Sequence, residues 1–186
     1  MGFTAGNIIA FGYTAAGKKG LPADVVQNLM DEVVAIETAF VNGRVRCSAY
    51  HNTTQILATG IGAALELNTA EFDVGTMWTS APGNTRITVP ANNAGVYLAI
   101  GGTSFPAHAT GYRQLKLKKN SATNLANVII PVSSASVQTD IMISAFVSLA
   151  VSDYLELIGV QNSGAVMNVG SATREESTFL QVVRIW

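Results

Sequence analysis

The fold is decided by the stretch of residues 141–151, which reads IMISAFVSLAV. Every odd position is apolar, and the even positions are small or apolar and never charged. Alternation with a period of two predicts a β-strand. A strand in a solitary two-layer sandwich usually carries charge on its outer face. We therefore expect the second face of this strand to pack against a neighbouring chain.

The period of two continues on both sides of this stretch, from Arg44 to Trp186. It predicts strands near residues 44–50, 63–67, 86–90, 95–105, 112–119, 127–132, 139–151, 153–161 and 178–186. Turn-forming sequences separate them, such as Ala81-Pro82-Gly83-Asn84. Because these strands occur without a second helical pattern, we predict an all-β sandwich or barrel over residues 44–186.

The last predicted strand, residues 178–186, is also apolar on both faces. Its alternating positions hold Phe179, Val183 and Ile185 on one side and Leu180, Val182 and Trp186 on the other. Two strands of this kind indicate contact between copies of the chain. We predict an interface of the head domain formed by Met142, Phe146, Leu180, Val182 and Trp186.

A helix is predicted over residues 22–40, where Pro22 and Asp24 suit a first helical turn. Its apolar residues recur at intervals of 3, 4, 3 and 4, which is a heptad seam: Val26, Leu29, Val33, Ile36 and Phe40. The seam fits either an amphipathic helix lying on its own domain or a short parallel coiled coil between identical chains. These seam residues do not fix the number of strands in such a coil.

Residues 1–20 are rich in Gly, Ala and Thr. They carry five large apolar side chains: Phe3, Ile8, Ile9, Phe11 and Tyr13. Such a segment has no core of its own, so it is either a flexible leader or a peptide that orders against another molecule. The apolar side chains favour the second possibility, and we predict an anchor peptide at residues 1–20, a helical stalk at 21–43 and a head domain at 44–186.

The composition narrows the function classes. Of the 186 residues, 12% are charged and 48% hydrophobic, and the mean hydropathy is +0.31. So little charge indicates a surface that is partly hidden by partner chains. A net charge of −1 predicts no general attraction to nucleic acid or to an anionic membrane. The apolar stretch at 141–151 is too short for a bilayer span of about 20 residues, and the N-terminus does not read as a secretory signal, so we expect assembly in a cytoplasm.

Several segments in the second half of the chain resemble the jelly roll of the tumour-necrosis-factor and complement-globular-head family. They are Gly95-Val96-Tyr97-Leu98-Ala99-Ile100, Ala109-Thr110-Gly111-Tyr112-Arg113 with the alternation after it, Ser152-Asp153-Tyr154-Leu155-Glu156-Leu157, and the closing strand. The resemblance covers about residues 44–186. It implies a ten-stranded jelly roll that forms a compact homotrimer, usually at the end of a trimerising stalk.

The N-terminal Phe3-Thr4-Ala5-Gly6-Asn7-Ile8-Ile9 resembles the Phe-Thr-Ala-Gly leader of many tailed-bacteriophage structural proteins. In that group the leader precedes a short helix and a jelly roll. The continuation here, Ala10-Phe11-Gly12-Tyr13-Thr14, departs from the usual Leu-Thr-Ala. The resemblance implies a virion protein with an anchor peptide, a trimeric coiled-coil stalk and a globular head.

Signatures of catalysis are scarce. Cys47 and His51 are four residues apart, about 13 Å along one strand, which is too far for a nucleophile and its base. The loose groups of carboxylates, such as Asp153 with Glu156, fit turns and solvated faces as well as calcium ligands, and some members of the family bind calcium. We therefore predict no enzyme activity, no cofactor and no resident metal.

Two surface features remain as candidates for binding. Lys116, Lys118 and Lys119 form the basic cluster of the sequence, interpreted as an edge strand protected by lysines or as a small polyanion-binding patch. Trp78 lies in the loop region 68–85, and it fits either a platform for stacking on a sugar or an anchor of the loop in the core.

The sequence thus predicts a homotrimeric structural component of a phage virion, a head fibre or capsid decoration protein held through residues 1–20. The alternative is the receptor-binding tip of a tail fibre that recognises host-surface carbohydrate through the loops 68–85 and 162–177. Both place the protein on a virion assembled in the bacterial cytoplasm.

Overall fold

A computed structural model describes residues 23–42, 45–132, 134–173 and 177–186, and within the helix it describes the side-chain surroundings of residues 25–34. The chain divides between Gly43 and Arg44 into two compact units. The first unit contains the helix α1 (Ala23–Asn42). The second contains the strands and is called the head below.

The described part of the head has twelve strands. They are β1 (Arg46–His51), β2 (Gln55–Leu57), β3 (Ala63–Ala64), β4 (Thr69–Val74), β5 (Arg86–Thr88), β6 (Gly95–Phe105), β7 (Tyr112–Lys119), β8 (Thr123–Pro131), β9 (Thr139–Leu149), β10 (Tyr154–Gln161), β11 (Met167–Val169) and β12 (Thr178–Arg184).

These strands form two antiparallel sheets and one short ribbon. Sheet I has the order β4-β1-β12-β6-β9, and sheet II has the order β3-β10-β7-β8 with β5 also paired to β10. The ribbon pairs β2 with β11. Strands that follow one another in the chain frequently belong to different sheets, as in a jelly roll. The predicted all-β sandwich is confirmed.

The core lies between the two sheets, because alternate residues of each strand point inward. Tyr97 and Ala99 of β6 and Leu115 and Leu117 of β7 are completely buried there. The sheets approach closely at Gly101, where an added Cβ would lie 2.8 Å from Leu157 Cδ2.

The two ends of the head differ in which parts of the chain they bring together. At the near end, where the described head begins, the Arg184 N–H donates to Val45 O at 3.0 Å. At the far end, the Val132 N–H donates to Gly111 O at 3.1 Å, and the Tyr112 N–H donates to Asn162 Oδ1 at 2.6 Å. The far end is therefore built from the loops that precede β7, follow β8 and follow β10.

The strands with long apolar alternation agree well with the sequence predictions. The bounds of β6 and β7 are those predicted, and β9 ends two residues earlier. Three strands were not predicted, namely β2, β4 and β11. β4 lies within the region 68–85 that was predicted to be a loop, and there Glu71 accepts a hydrogen bond from Ser48 Oγ at 2.9 Å. Asp73 accepts hydrogen bonds from the Met77 and Trp78 backbone N–H groups.

The interpretation of the lysine cluster as an edge strand is wrong. Its residues belong to β7, which lies between β10 and β8 in sheet II. Lys116 and Lys118 are half-buried on the outer face of that sheet, opposite Ile158 and Glu156 of β10. Lys119 forms an ion pair instead, with its Nζ 2.7 Å from Asp153 Oδ2.

Candidate functional site

The outer face of sheet I is the main candidate for an interaction surface. Along β9 the odd residues Ile141, Ile143, Val147 and Leu149 are buried, and the even residues point out of the sandwich. Two of the outward side chains are large and strongly exposed, Phe146 at 72% and Met142 at 65%. Exposure of this kind on one face of a regular strand marks a surface for another molecule.

The neighbouring strands continue this apolar face by register. Phe146 of β9 lies opposite Leu98 of β6, which lies opposite Val183 of β12, and Arg46 of β1 completes the row. The adjacent row consists of Ser144, Ile100, Gln181 and Ser48. No charged residue occurs in the first three positions of either row. The centre of the face can therefore be covered without desolvating a charge.

A hollow opens in this face over β4, β1, β12 and β6, with a volume of about 150 Å³. Its walls are mostly apolar: Arg46, Cys47, Phe72, Leu98, Ile100, Gln181, Val182 and Val183. A broader depression of about 290 Å³ lies beside it, against Ile100, Met142, Ile143 and Ser144.

Among the described strands, the two sheets end beside each other on one side of the sandwich. β9 is an edge strand of sheet I and β8 is an edge strand of sheet II. β9 has eleven residues and contains no Lys or Pro, the residues that commonly protect an edge from pairing. Lys119 Nζ of β7 donates to Ser148 O of β9 at 3.3 Å, so one backbone carbonyl of β9 is covered by a lysine of the same chain. The apolar outer face and the β9 edge are continuous.

Of the five predicted interface residues, three are exposed and two are not. Met142 and Phe146 stand on the outer face, and Trp186 is 86% exposed. Leu180 and Val182 are buried in the core of the same chain, so their assignment to an interface is corrected. The alternate positions Phe179, Gln181 and Val183 face outward instead. Because both sets contain large apolar residues, the alternation was not used to decide which one faces the core, although Gln181 marks the outward set.

Several residues of the outer face were not predicted as part of the interface. The alternation of β6 places Leu98 and Ile100 on one face of the strand. The residues on its other face, such as Tyr97 and Ala99, are also apolar, so the pattern did not show which face points outward. Phe72 belongs to β4, which had no strand signal. Leu98 lies opposite Phe146, and Ile100 and Phe72 lie in the adjacent row, so their place on this face depends on pairing between distant segments.

On α1, the described residues of the predicted seam are exposed. Val26, Leu29 and Val33 have exposed side chains, and the same holds for Val25 and Val34 beside them. The side chains of Ile36 and Phe40 lie outside the described residues. The five predicted anchor residues also lie outside them: Phe3, Ile8, Ile9, Phe11 and Tyr13.

Trp78 is held by its surroundings rather than presented to solvent. Its Nε1–H donates to Leu67 O at 2.9 Å, its backbone N–H donates to Asp73 Oδ2, and it packs against the core cluster. The loop around it lies toward the near end, since a Cβ on Gly75 would contact Val45. The loop at Asn162 lies at the far end. Trp78 and Asn162, one from each loop region considered for carbohydrate, therefore lie toward opposite ends of the head.

The electrostatics of Cys47 and His51 do not suit nucleophilic catalysis. Burial, with the nearby Asp73 carboxylate as the smaller cause, raises the pKa of the Cys47 thiol to about 12. Burial also lowers the pKa of His51, although Glu66 acts in the opposite direction. His51 Nε2 is 2.7 Å from Thr53 Oγ1. A thiol that stays protonated at neutral pH is a poor nucleophile.

Two further observations concern the residues that the structure describes. They contain no group of three or more His, Cys, Asp or Glu side chains arranged to hold a metal ion. Within the same ranges, no helix has the length and apolar character needed to cross a membrane.

The sequence matches no protein-family model and no curated protein. Solved structures do resemble the head. The globular domain of zebrafish complement 1qA protein aligns with a TM-score of 0.56 and 17% identity, over 76% of this chain and 98% of that one. Murine APRIL aligns with a TM-score of 0.56 and 13% identity, over 76% and 99%. The vertex protein P5 of PRD1 aligns with a TM-score of 0.53 and 18% identity, over 76% and 97%.

At these identities the likeness concerns the fold. The head has the jelly roll of the tumour-necrosis-factor and complement-globular-head class, as the sequence predicted.

Proposed function

We propose that this chain is a homotrimeric structural protein of a phage virion, a head fibre or decoration protein whose residues 1–20 bind the particle. The observation that carries the proposal is the outer face of sheet I, where an apolar surface with no charge at its centre meets the edge strand β9. The fold class, which the sequence analysis associates with compact homotrimers, supports the same assembly.

The exposed side chains favour burial in an assembly on energetic grounds. Covering one exposed Phe or Met side chain contributes about 1.5–3 kcal/mol. Phe146, Met142 and Trp186 are all strongly exposed in the single chain. Every copy carries the same face and the same edge, so a ring closed by rotation buries all of them at once.

The negative charge of α1 is a reason to expect that contacts between the heads, rather than between the helices, contribute most of the stability of the trimer. Residues 21–43 contain four acidic residues and no Lys or Arg: Asp24, Asp31, Glu32 and Glu37. In a parallel coil built on the predicted seam, Asp24 and Asp31 would face outward, whereas Glu32 and Glu37 would flank the seam. Three copies would therefore bring six like charges beside the seam, which opposes a coiled coil at low salt. The seam therefore adds to a trimer that the head holds together, and its contribution grows as salt screens the carboxylates.

The virion role has two supports. The Phe-Thr-Ala-Gly leader resembles the leader of phage structural proteins, and the fold of the head resembles that of the PRD1 vertex protein. The apolar residues of the leader supply the contact with the particle under this proposal, because they have no core of their own to join.

The experiment compares two forms of the chain during particle assembly. The wild type is expected to sediment with purified virions and to be labelled on them by antibodies against the head. The double variant Phe3→Ser/Phe11→Ser is expected to remain a soluble trimer that does not sediment with particles. Equal incorporation of both forms, or absence of the wild type from virions, would contradict the proposal.

A second candidate function is a receptor-binding tip for host-surface carbohydrate. The far-end loops favour it, because residues 106–111 and 161–166 are uncharged and rich in Ser, Thr, Asn, Ala and Gly. Such side chains and exposed backbone hydrogen-bond neutral sugars. Binding of the wild type to a glycan array that is lost in His108→Ala and kept in Trp78→Phe would support this candidate.

A further inference from the structure

The hollow in the outer face of sheet I has the size of an aromatic ring. Its volume of about 150 Å³ is close to that of an apolar protein cavity that binds benzene, about 150 Å³. Phe72 and Arg46 stand at its rim, and Leu98, Ile100 and Val183 line it. An aromatic side chain is a matching occupant.

The same face carries an aromatic ring at Phe146, which is 72% exposed and does not line this hollow in its own chain. Phe146 lies on β9 opposite Leu98, a residue of β6 that lines the hollow, and the hollow extends from there over β12 and β1. Neighbouring strands are about 4.8 Å apart, so the row from Phe146 to Arg46 spans about 14 Å. With Phe146 of the same chain pointing to solvent, the hollow is open to an aromatic ring from another copy.

We propose that the ring of Phe146 of one copy occupies the hollow of the next copy, and that this contact repeats around a closed ring of three. It rests on the homotrimer proposed above and names the two surfaces that meet in that trimer. The contact is heterologous, since a projecting ring meets a hollow and the two lie on different strands. A ring of three such contacts leaves no Phe146 exposed and no hollow empty.

The chemistry of the hollow suits this occupant. Phe72 offers an aromatic neighbour for an edge-to-face or offset contact with the incoming ring. The guanidinium of Arg46, exposed in the single chain, can lie over the face of that ring as a cation–π partner. No carboxylate lines the hollow, so insertion leaves no buried anion.

The test is cross-linking between two introduced cysteines, Arg46→Cys and Phe146→Cys, in a Cys47→Ala background. The thiol cross-linker is chosen too short for the 14 Å between these positions in one chain. The double variant is expected to give covalent dimers and closed trimers, and each single variant is expected to give none. Phe146→Cys with Lys116→Cys is the control, because Lys116 faces out from sheet II.

A second measurement covers the possibility that the cysteines disturb assembly. Phe146→Ala is expected to raise the protein concentration at which the trimer dissociates by about tenfold or more in total, since each trimer loses three inserted rings. Ile56→Ala is the matched control, since Ile56 is equally exposed but lies on the β2–β11 ribbon, and it should leave dissociation unchanged. A trimer that neither cross-links nor responds to Phe146→Ala would overturn this inference alone. A wild type that is monomeric would overturn the proposed function as well.

Discussion

Asp153 is the side chain that ties together the near-end turns of the head. Its Oδ2 accepts hydrogen bonds from Lys119 Nζ and from the Ala150 N–H, and its Oδ1 accepts one from Asn120 Nδ2, each at 2.7 Å. Asn120 Oδ1 in turn accepts the Tyr154 N–H at 2.9 Å. The carboxylate therefore connects the turn between β7 and β8 with the turn between β9 and β10.

The substitution Asp153→Asn keeps the shape of the side chain but replaces one acceptor oxygen of the carboxylate with an NH2 donor. Asn120 cannot turn its amide to compensate without losing the bond from Tyr154. At least one hydrogen bond to a charged group is lost, which costs about 2 kcal/mol. For a chain of this size the midpoint of thermal unfolding is expected to fall by about 4–8 °C.

The pH dependence provides an independent reading. Hydrogen bonds from Lys119, Asn120 and the Ala150 backbone, in that order, lower the pKa of Asp153 from 3.8 to about 2. Because the folded-state pKa lies below the unfolded value, the carboxylate stabilises the fold above about pH 4. This contribution is lost as the pH falls from about 4 to about 2. Asp153→Asn should flatten the stability profile in that window.

The assay is denaturant unfolding at one fixed protomer concentration, because assembly makes apparent stability depend on concentration. Asp140→Asn is the control, since the Ser104 hydroxyl that donates to Asp140 can rotate and accept instead. It should cost clearly less. A cost of Asp153→Asn below about 0.5 kcal/mol, or an unchanged acid limb, would refute the reasoning about this carboxylate.

Three further substitutions test separate parts of the head. Gly101→Ala should cost about 1–3 kcal/mol by overpacking, because its Cβ would lie within 3 Å of both Leu157 methyl groups; an unchanged unfolding midpoint would contradict the close approach of the sheets. Trp78→Phe should cost about 1–2 kcal/mol by leaving Leu67 O without its indole donor; calorimetry showing no loss would contradict the anchoring role. Burial lowers the pKa of His51 below 6.5, so the wild type should lose stability as the pH falls below 6.5. His51→Gln should remove that loss in unfolding curves recorded from pH 7 to 5.

The strands that could be predicted from the sequence are those long enough to show an alternation of apolar residues by themselves. β6 and β7 were predicted with their observed bounds because each alternates over eight or more residues. β2 and β11 have three residues each, and their pairing joins segments more than a hundred residues apart. Such short strands form because a distant partner is present, and a local pattern cannot indicate them.

The candidate site also contains residues that a local pattern predicts and residues whose position depends on distant strands. Phe146 and Met142 were predicted because an apolar outer face is unusual on any strand. The error at Leu180 and Val182 arose where both faces are apolar, since a shift of one residue exchanges core and surface. The hollow combines residues of four strands, so it exists only once the register of sheet I is set.

The lysines of β7 illustrate a further limit. Three basic residues on a short strand suggested an edge, but the position of a strand within a sheet depends on its neighbours. β8 pairs along the whole of β7, and β10 covers its other side. Among the described strands β9 forms the edge of sheet I, and its sequence contains no basic residue; the lysine that contacts its Ser148 O comes from β7.

Light scattering on the full chain tests self-association most directly. We expect a mass in solution of three times 19.5 kDa, and a shift toward the single-chain mass when Phe146→Asp places a charge on the apolar face. A folded wild type that remains at 19.5 kDa at micromolar concentration, with Phe146 and Met142 in water, would contradict a trimer built on this face.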